Sequence, residues 1–285
     1  MSGNVFVKRS VLTVVCGMAA FVFLPARHGA TAANEGQSLE TGFRQMYNLQ
    51  FQAAHRTFEA WKHSHPDDPL GFASDAAAYL FEEFERLHVL DFDFVADGKP
   101  AQDVANVVPD PQIKESLERE LARADEFADK ALAGVATDTD ALFAKMLSGG
   151  LRGDYAALIE KRSRVALGFL KSSRSFAEKL IAIDPNCHDA YLAIGIENYV
   201  LGLRSAPTRW MLRLSGAQTN REKGLTNLKI TAENGRYLGP YARILMAIAA
   251  FRERDLTTAR SLLAGLVREF PMNRLYRQEL AKLQG

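Results

Sequence analysis

The chain has 285 residues, of which 47% are hydrophobic, and its formal net charge is +1. This length is enough to bury a large core, and with only Cys16 and Cys187 the fold must be stabilised by packing rather than by a disulfide framework. The basic residues lack interleaved aromatic side chains, which argues against a nucleic-acid partner.

The N-terminal segment has the pattern of a secretory signal peptide. An apolar run from Val11 to Leu24 follows two basic residues and precedes the small residues Ala30–Ala32. The run is shorter than the roughly 20 residues that a membrane-spanning helix needs. We therefore predict a signal peptide over 1–32 and a mature, soluble chain over 33–285 that is periplasmic or secreted. A retained membrane anchor is the alternative.

One spacing of side chains occurs three times. The intervals of 3, 4, 3 and 5 residues separate the members of three sets: Phe51, Ala54, Phe58, Trp61 and Pro66; Leu170, Ser173, Ala177, Leu180 and Pro185; and Leu256, Ala259, Leu263, Leu266 and Pro271. The first four members of each set share one helical stripe, with a small residue where another helix comes close. The proline then ends the helix, because it lacks an N–H group. This recurrence predicts an all-α solenoid of stacked helix pairs.

Predicted helices alternate with short gaps along the mature chain. In chain order they are Ser38–Asn48, Gln50–His63, Phe72–Leu90, Gln112–Ala133, Asp138–Leu147, Asp154–Ile183, Asp189–Leu201, Asn220–Asn234, Tyr237–Arg252, Leu256–Phe270 and Arg274–Leu283. They make about five pairs, and the last one caps the open end of the stack. We predict a break at Gly149-Gly150 and a bend near Gly168.

Two segments depart from the repeat. In the first, residues 91–95 alternate like a strand, Asp97-Gly98 is a turn signal and Pro109-Asp110-Pro111 ends the segment; the second, 202–219, contains Pro207 and Gly216. We predict irregular, non-helical insertions at about 91–111 and 202–219. Loops on rigid scaffolds often carry function, so the first insertion is a candidate for a variable binding feature.

The junctions between helices resemble those of the tetratricopeptide repeat family. The residues that carry the resemblance are Asp184-Pro185-Asn186 followed by Ala190-Tyr191-Leu192-Ala193-Ile194-Gly195, and the similar junctions Pro66-Asp67-Asp68-Pro69 and Glu269-Phe270-Pro271-Met272-Asn273. The resemblance covers most of residues 38–285. It departs from the family pattern at Leu180 and Leu266, where Ala is preferred, and at Arg243, where an aromatic is preferred. It implies an exported bacterial tetratricopeptide-like protein with a superhelical fold.

Few residues have a spacing that suggests chemistry. Glu85 and His88 have the Glu-x-x-His spacing of a metal site, but no second copy of the motif exists. Cys187 and His188 adjoin in sequence, which points their side chains apart. We predict no catalytic residue, no metal site and no cofactor. An enzyme with an unrecognised site is the weakest of the alternatives.

In the resembled family, the first helix of each repeat lines a concave binding groove. Counted from the proline anchors, the corresponding positions here are Leu39, Phe43, Met46, Leu192, Ile196, Tyr199, Ile244, Ile248 and Phe251. They are all apolar, whereas the family clamps peptide carboxylates with Lys, Asn and Arg. Either an apolar ligand or helix fills the groove, or the insertions fold back and bury it.

Trp210, Met211 and Leu214 form a second candidate surface, because Arg209 and Arg213 flank them as in an amphipathic segment. Contact with a partner or a membrane surface is one interpretation. Burial as a lid over the groove is the favoured one.

Charge is distributed unevenly along the chain. Residues 34–130 contain 20 acidic and 9 basic side chains, and residues 131–285 contain 14 acidic and 23 basic ones. In a solenoid the two ends then carry opposite electrostatic potentials. These potentials either steer a partner or promote self-association, or else the asymmetry has no function and only reflects the composition of solvated helix faces.

The leading hypothesis is a non-catalytic scaffold of the cell envelope that binds a protein or peptide. The alternative is a structural component of an envelope assembly that acts through end-to-end contacts.

Overall fold

The computed structural model describes residues 38–89 and 108–283, and twelve α-helices lie within these ranges. They are α1 Leu39–Tyr47, α2 Phe51–Ser64, α3 Pro69–Arg86, α4 Pro111–Gly134, α5 Thr139–Asp154, α6 Ser163–Ile183, α7 Tyr191–Gly202, α8 Ala206–Leu214, α9 Arg221–Asn234, α10 Gly239–Arg252, α11 Leu256–Glu269 and α12 Arg274–Lys282. The two ranges contain no β-strand, so the all-α prediction is confirmed.

The three predicted proline stops are confirmed. Helices α2, α6 and α11 each end two residues before the proline, at Ser64, Ile183 and Glu269. Side chains then cap the next helices: Asp68 accepts a hydrogen bond of 2.8 Å from the Leu70 N–H at the start of α3. Such caps satisfy N–H groups that have no partner inside the helix.

Five helix pairs and a cap make up the stack. The pairs are α1–α2, α3–α4, α5–α6, α7–α9 and α10–α11, and α12 packs on α11. Ala54 and Ala259, the small residues of the repeated stripe, are fully buried, as predicted. Two helix backbones approach closely at Gly224 of α9, where a Cβ atom would lie 2.5 Å from the backbone nitrogen of Tyr199 in α7. Only glycine fits there without moving a helix.

The break predicted at Gly149-Gly150 is wrong, because α5 runs through both glycines to Asp154. The glycine serves close packing instead: a Cβ atom on Gly149 would lie 3.2 Å from the Cβ atom of Ser173 in α6. The predicted Asp154–Ile183 helix is interrupted by a π-helical turn, Tyr155–Ile159, and by the left-handed backbone of Lys161 (φ 59°). The interruption therefore lies before α6 and not near Gly168.

The insertion predicted at 202–219 contains a helix, α8, over Ala206–Leu214. Its Pro207 lies in the first turn, where the missing N–H costs no hydrogen bond, so the proline begins a helix there rather than breaking one. In the other predicted insertion, 91–111, residues 91–107 lie outside the described ranges, and α4 begins at Pro111. The predicted signal peptide, 1–32, also lies outside them. Among the helices that are described, none is long and apolar enough to cross a bilayer.

The first and last parts of the chain contact one another along a junction that we call the seam. The ring of Tyr47 in α1 lies 5.6 Å from the ring of Phe270, and the Asn273 side-chain amide donates a hydrogen bond of 2.8 Å to the Tyr47 carbonyl. Three ion pairs cross the seam: Arg44–Glu269, Arg236–Glu40 and Arg274–Glu85. Charges near the two ends of the stack therefore pair within one molecule.

Candidate binding chamber

The first helices of all five pairs, α1, α3, α5, α7 and α10, contribute inward-facing side chains to two adjoining cavities. The first cavity has a volume of ≈ 40 Å³, and the second, between α5, α6, α7 and α10, has a volume of ≈ 260 Å³. Four residues border both cavities: Asp154, Leu170, Ile196 and Tyr241. We refer to the two cavities together as the chamber.

Aromatic rings join helices around the chamber that are distant in sequence. Phe81 of α3 lies edge-on to Tyr241 of α10, with ring centroids 5.3 Å apart, and edge-on to Tyr47 of α1, at 5.6 Å. Each such pair adds about 0.5–1.5 kcal/mol beyond its buried area. Because Tyr47 also contacts Phe270 across the seam, the aromatic wall runs from the first helix to the last pair.

One carboxyl group borders both cavities. The Oδ2 atom of Asp154, the last residue of α5, accepts a hydrogen bond of 2.9 Å from the hydroxyl of Tyr241. Part of the Asp154 surface is accessible, and we assign that part to the chamber rather than to bulk solvent, because apolar residues surround the group. Burial raises the pKa of Asp154 to about 7, against a smaller lowering by the Tyr241 hydrogen bond. Near neutral pH the carboxyl group can therefore either donate or accept a hydrogen bond.

The second cavity opens to solvent at the end of α7. Val200 and Leu203 line it and are 37% and 40% exposed. The hydroxyl of Tyr199, on the same wall, has no hydrogen-bond partner among the residues that the structure describes. The mouth gives a ligand an entry route, whereas the buried Tyr199 hydroxyl would be reached only if the side chains around it moved.

Most of the predicted groove residues border the chamber. Phe43, Met46, Leu192 and Ile196 line the first cavity, and Ile196, Tyr199 and Ile248 line the second. Leu39 and Ile244 are buried outside both cavities, and Phe251, also outside, is half-buried. The inner face is thus largely enclosed, and the helices and the seam enclose it rather than the segment 202–219.

Trp210 lies away from the chamber. It is 63% exposed on α8, no residue of that helix is buried, and none lines either cavity. The expectation that this segment forms a buried lid over the groove is therefore wrong. Lys171 of α6 donates a hydrogen bond of 2.6 Å to the Ser215 carbonyl, which attaches the end of α8 to α6 instead.

Several chamber residues were not among the predicted groove positions, including the aromatic Tyr47, Phe81 and Tyr241, and the one with an acidic side chain is Asp154. It continues the inward-facing series of Leu147 and Leu151 at helical spacing, as the polar member of an apolar stripe. Because the predicted helix ended at Leu147 and another began at Asp154, the aspartate was placed at a helix start. Following the apolar period through Gly149-Gly150 would have placed it on the inner wall.

Outside the chamber, a compact group of charges surrounds Lys62 in α2. Its ammonium donates hydrogen bonds to Asp75 (2.7 Å), Glu120 (2.8 Å) and Glu59 (2.7 Å). Oxygens of the three carboxylates lie within 4.8 Å of one another, as metal ligands would, but the lysine supplies the cation. Burial lowers the pKa of Lys62, and the facing carboxylates, chiefly Asp75, outweigh that effect and raise it. The cluster links α2, α3 and α4.

The other candidates for chemistry have little geometric support. Helix α3 ends at Arg86, so Glu85 and His88 do not share a helical face, and Glu85 pairs with Arg274. Burial raises the pKa of the Cys187 thiol to about 11, which makes the nucleophilic thiolate scarce at neutral pH.

No protein-family model matches this chain, and no curated protein gives a significant match.

Proposed function

We propose that this protein is a non-catalytic, exported, tetratricopeptide-like binding protein whose chamber accepts an apolar ligand that carries one hydrogen-bonding group. The observation that carries the proposal is the chamber itself. It joins an apolar cavity of ≈ 260 Å³ to the Asp154–Tyr241 pair. Ligand sites are typically concave and mostly apolar, with a few polar groups that orient the ligand.

The volume of the second cavity fits a small apolar molecule. An apolar cavity of about 150 Å³ already takes up a benzene-sized ligand. Each Å² of apolar ligand surface removed from water contributes roughly 25 cal/mol, so a ligand with an eight-carbon chain gains several kcal/mol from this wall. The mouth at Val200 and Leu203 gives such a chain access.

The polar groups select the kind of ligand. An extended peptide would bring backbone N–H and C=O groups into the chamber, and each unpaired one costs about 1–3 kcal/mol. The polar side chains that border the second cavity are Asp154, Tyr199, Tyr241 and Arg252. They suffice for one head group but not for a peptide backbone. A protein or peptide partner, as the family resemblance implies, would therefore insert an apolar side chain.

The alternative, an envelope component that acts through end-to-end contacts or self-association, has less support. It needs charged ends that are free to meet another molecule. Arg274 and Arg236, near the C-terminal end of the stack, instead pair with Glu85 and Glu40 near the N-terminal end.

Eight-carbon probes test the chamber directly. Octan-1-ol and octylamine should each raise the urea midpoint of the protein, because a ligand that binds the folded state alone stabilises it by mass action. Ile196 borders both cavities, so Ile196→Phe fills the chamber and should weaken octan-1-ol binding at least tenfold while the fold survives.

The matched control is Ile183→Phe, at the exposed end of α6 outside both cavities, and it should bind like the wild type. The proposal is refuted if neither probe raises the urea midpoint, or if Ile196→Phe and Ile183→Phe bind octan-1-ol equally well.

A further inference from the structure

Helix α8 presents an apolar face to solvent. Trp210, Met211 and Leu214 are 63%, 66% and 70% exposed, and at helical spacing they lie side by side. The helix buries none of its residues, so these side chains stand on a protruding surface and not in a groove. A contiguous apolar surface of this kind marks an interaction site.

The segment that carries this face is rich in arginine. Between Asn198 and Arg221 the chain contains four arginines, Arg204, Arg209, Arg213 and Arg221, and no aspartate or glutamate, and of the four Arg221 pairs with Glu253. Arg209 and Arg213, four residues apart, lie on one flank of the apolar face. An anionic partner complements this charge.

Hydrogen bonds to α6 and α7 fix α8 in this orientation. At its C-terminal end, Lys171 donates to the Ser215 carbonyl at 2.6 Å, and Arg174 donates to the Gly216 carbonyl at 3.0 Å. The buried carboxylate of Glu197 accepts from the Gln218 N–H at 3.0 Å. The exposed face is therefore part of the folded scaffold and not a frayed segment.

We propose that α8 docks this protein on an anionic lipid surface. A protruding helix with an outward apolar face, an exposed tryptophan and an arginine flank has the composition of an interfacial amphipathic helix. Arginines near such a surface gain from its negative potential. The chamber mouth at Val200 and Leu203 lies only a few residues before α8, so docking brings the mouth to the bilayer. The inference does not depend on what the chamber holds.

Tryptophan fluorescence tests the docking. The chain has two tryptophans, so Trp61→Phe leaves Trp210 as the single reporter in an otherwise intact chain. Phosphatidylglycerol vesicles should shift the Trp210 emission to the blue, and phosphatidylcholine vesicles should not. Because the signal comes from α8, it is independent of the apolar N-terminal run. Arg204→Gln should lower the partition coefficient about fivefold, since one arginine near an anionic surface is worth about 1 kcal/mol.

Two methionines give a matched pair of variants. Met211 and Met272 are exposed to nearly the same degree, 66% and 62%, but only Met211 lies on α8. Met211→Gln should weaken vesicle binding several-fold, whereas Met272→Gln should leave it unchanged. The inference is overturned if Trp210 emission does not respond to anionic vesicles or if the two variants weaken binding equally. A blue shift that follows protein concentration without vesicles would also overturn it, since a second copy would then cover the helix.

Discussion

Asp154→Asn tests whether the chamber carboxyl group is as desolvated as its surroundings indicate. The asparagine has the same size and retains an oxygen that can accept the Tyr241 hydrogen bond. The pKa of Asp154 is about 7 in the folded chain, against 3.8 for an ordinary aspartate. At a pH between these two pKa values, Asp154 has lost its proton in the unfolded chain but keeps it in the folded chain. The free energy of unfolding of the wild type therefore falls as the pH rises, and the loss that comes from Asp154 reaches its full size above about pH 7.

The magnitude follows from the interval between the two pKa values. About 3 pH units at about 1.36 kcal/mol each give a cost of about 4 kcal/mol above pH 7, which vanishes below pH 3.8. This is an upper limit, because water in the chamber would solvate the carboxylate in part. Asp154→Asn removes the cost. The variant should gain stability relative to the wild type as the pH rises, by up to about 4 kcal/mol at pH 8.5.

Urea denaturation at pH 4, 6 and 8.5 measures the difference between variant and wild type, in which the titration of all other groups largely cancels. Asp255→Asn is the contrasting control. The Thr258 hydrogen bonds lower the pKa of exposed Asp255, so the stability difference between that variant and the wild type should change mainly below about pH 4 and stay level between pH 6 and pH 8.5. A free-energy difference for Asp154→Asn that is the same at pH 4 and pH 8.5 would show that the carboxyl group is solvated like a surface aspartate.

Three further predictions concern packing and processing. Lys62→Met removes the ammonium that the buried carboxylates of Asp75 and Glu120 share, so that Asp75 keeps only His55 and Glu120 only the exposed Arg119, and it should cost about 3 kcal/mol at pH 7 in urea denaturation. Ile244→Lys, at a predicted groove position that is buried, should cost several kcal/mol, whereas unchanged stability would mean that this position is exposed. Intact mass of the exported product should place its N-terminus within a few residues of Ala33, and a chain that retains residues 1–24 in the membrane would contradict the signal-peptide prediction.

The helix pairs were predictable because their cause is local. A 3-4-3 stripe followed by proline determines both the buried face and the end of a helix, so the ends of α2, α6 and α11 followed from the sequence. Glycine and proline were less informative. Gly149 lies within α5 and permits close packing against α6, and Pro207 lies in the first turn of α8. Glycine and proline are also common where a helix breaks. Which role applies depends on tertiary neighbours that one segment does not reveal.

The chamber was predictable only in part. Counting from the proline anchors identified inner positions such as Phe43, Ile196 and Tyr199, because the period of a repeat fixes which face turns inward. Asp154 was missed because its helix was divided too early. Closure was not predictable either, since the seam joins residues such as Arg44 and Glu269, which are 225 positions apart, without a local signal.

The energetics of the seam indicate which contacts hold the first and last parts of the chain together. Its ion pairs join largely exposed side chains, and such pairs contribute only about 0–1 kcal/mol each, so they select which surfaces meet more than they hold them together. The aromatic contacts among Tyr47, Phe81, Tyr241 and Phe270 bury large side chains, and each fully buried ring is worth roughly 1.5–3 kcal/mol. Packing therefore outweighs charge in closing the stack. Moderate salt should weaken the attraction between the acidic and basic portions of the chain without separating the two sides of the seam. Removal of the Tyr47 ring, by contrast, should separate them.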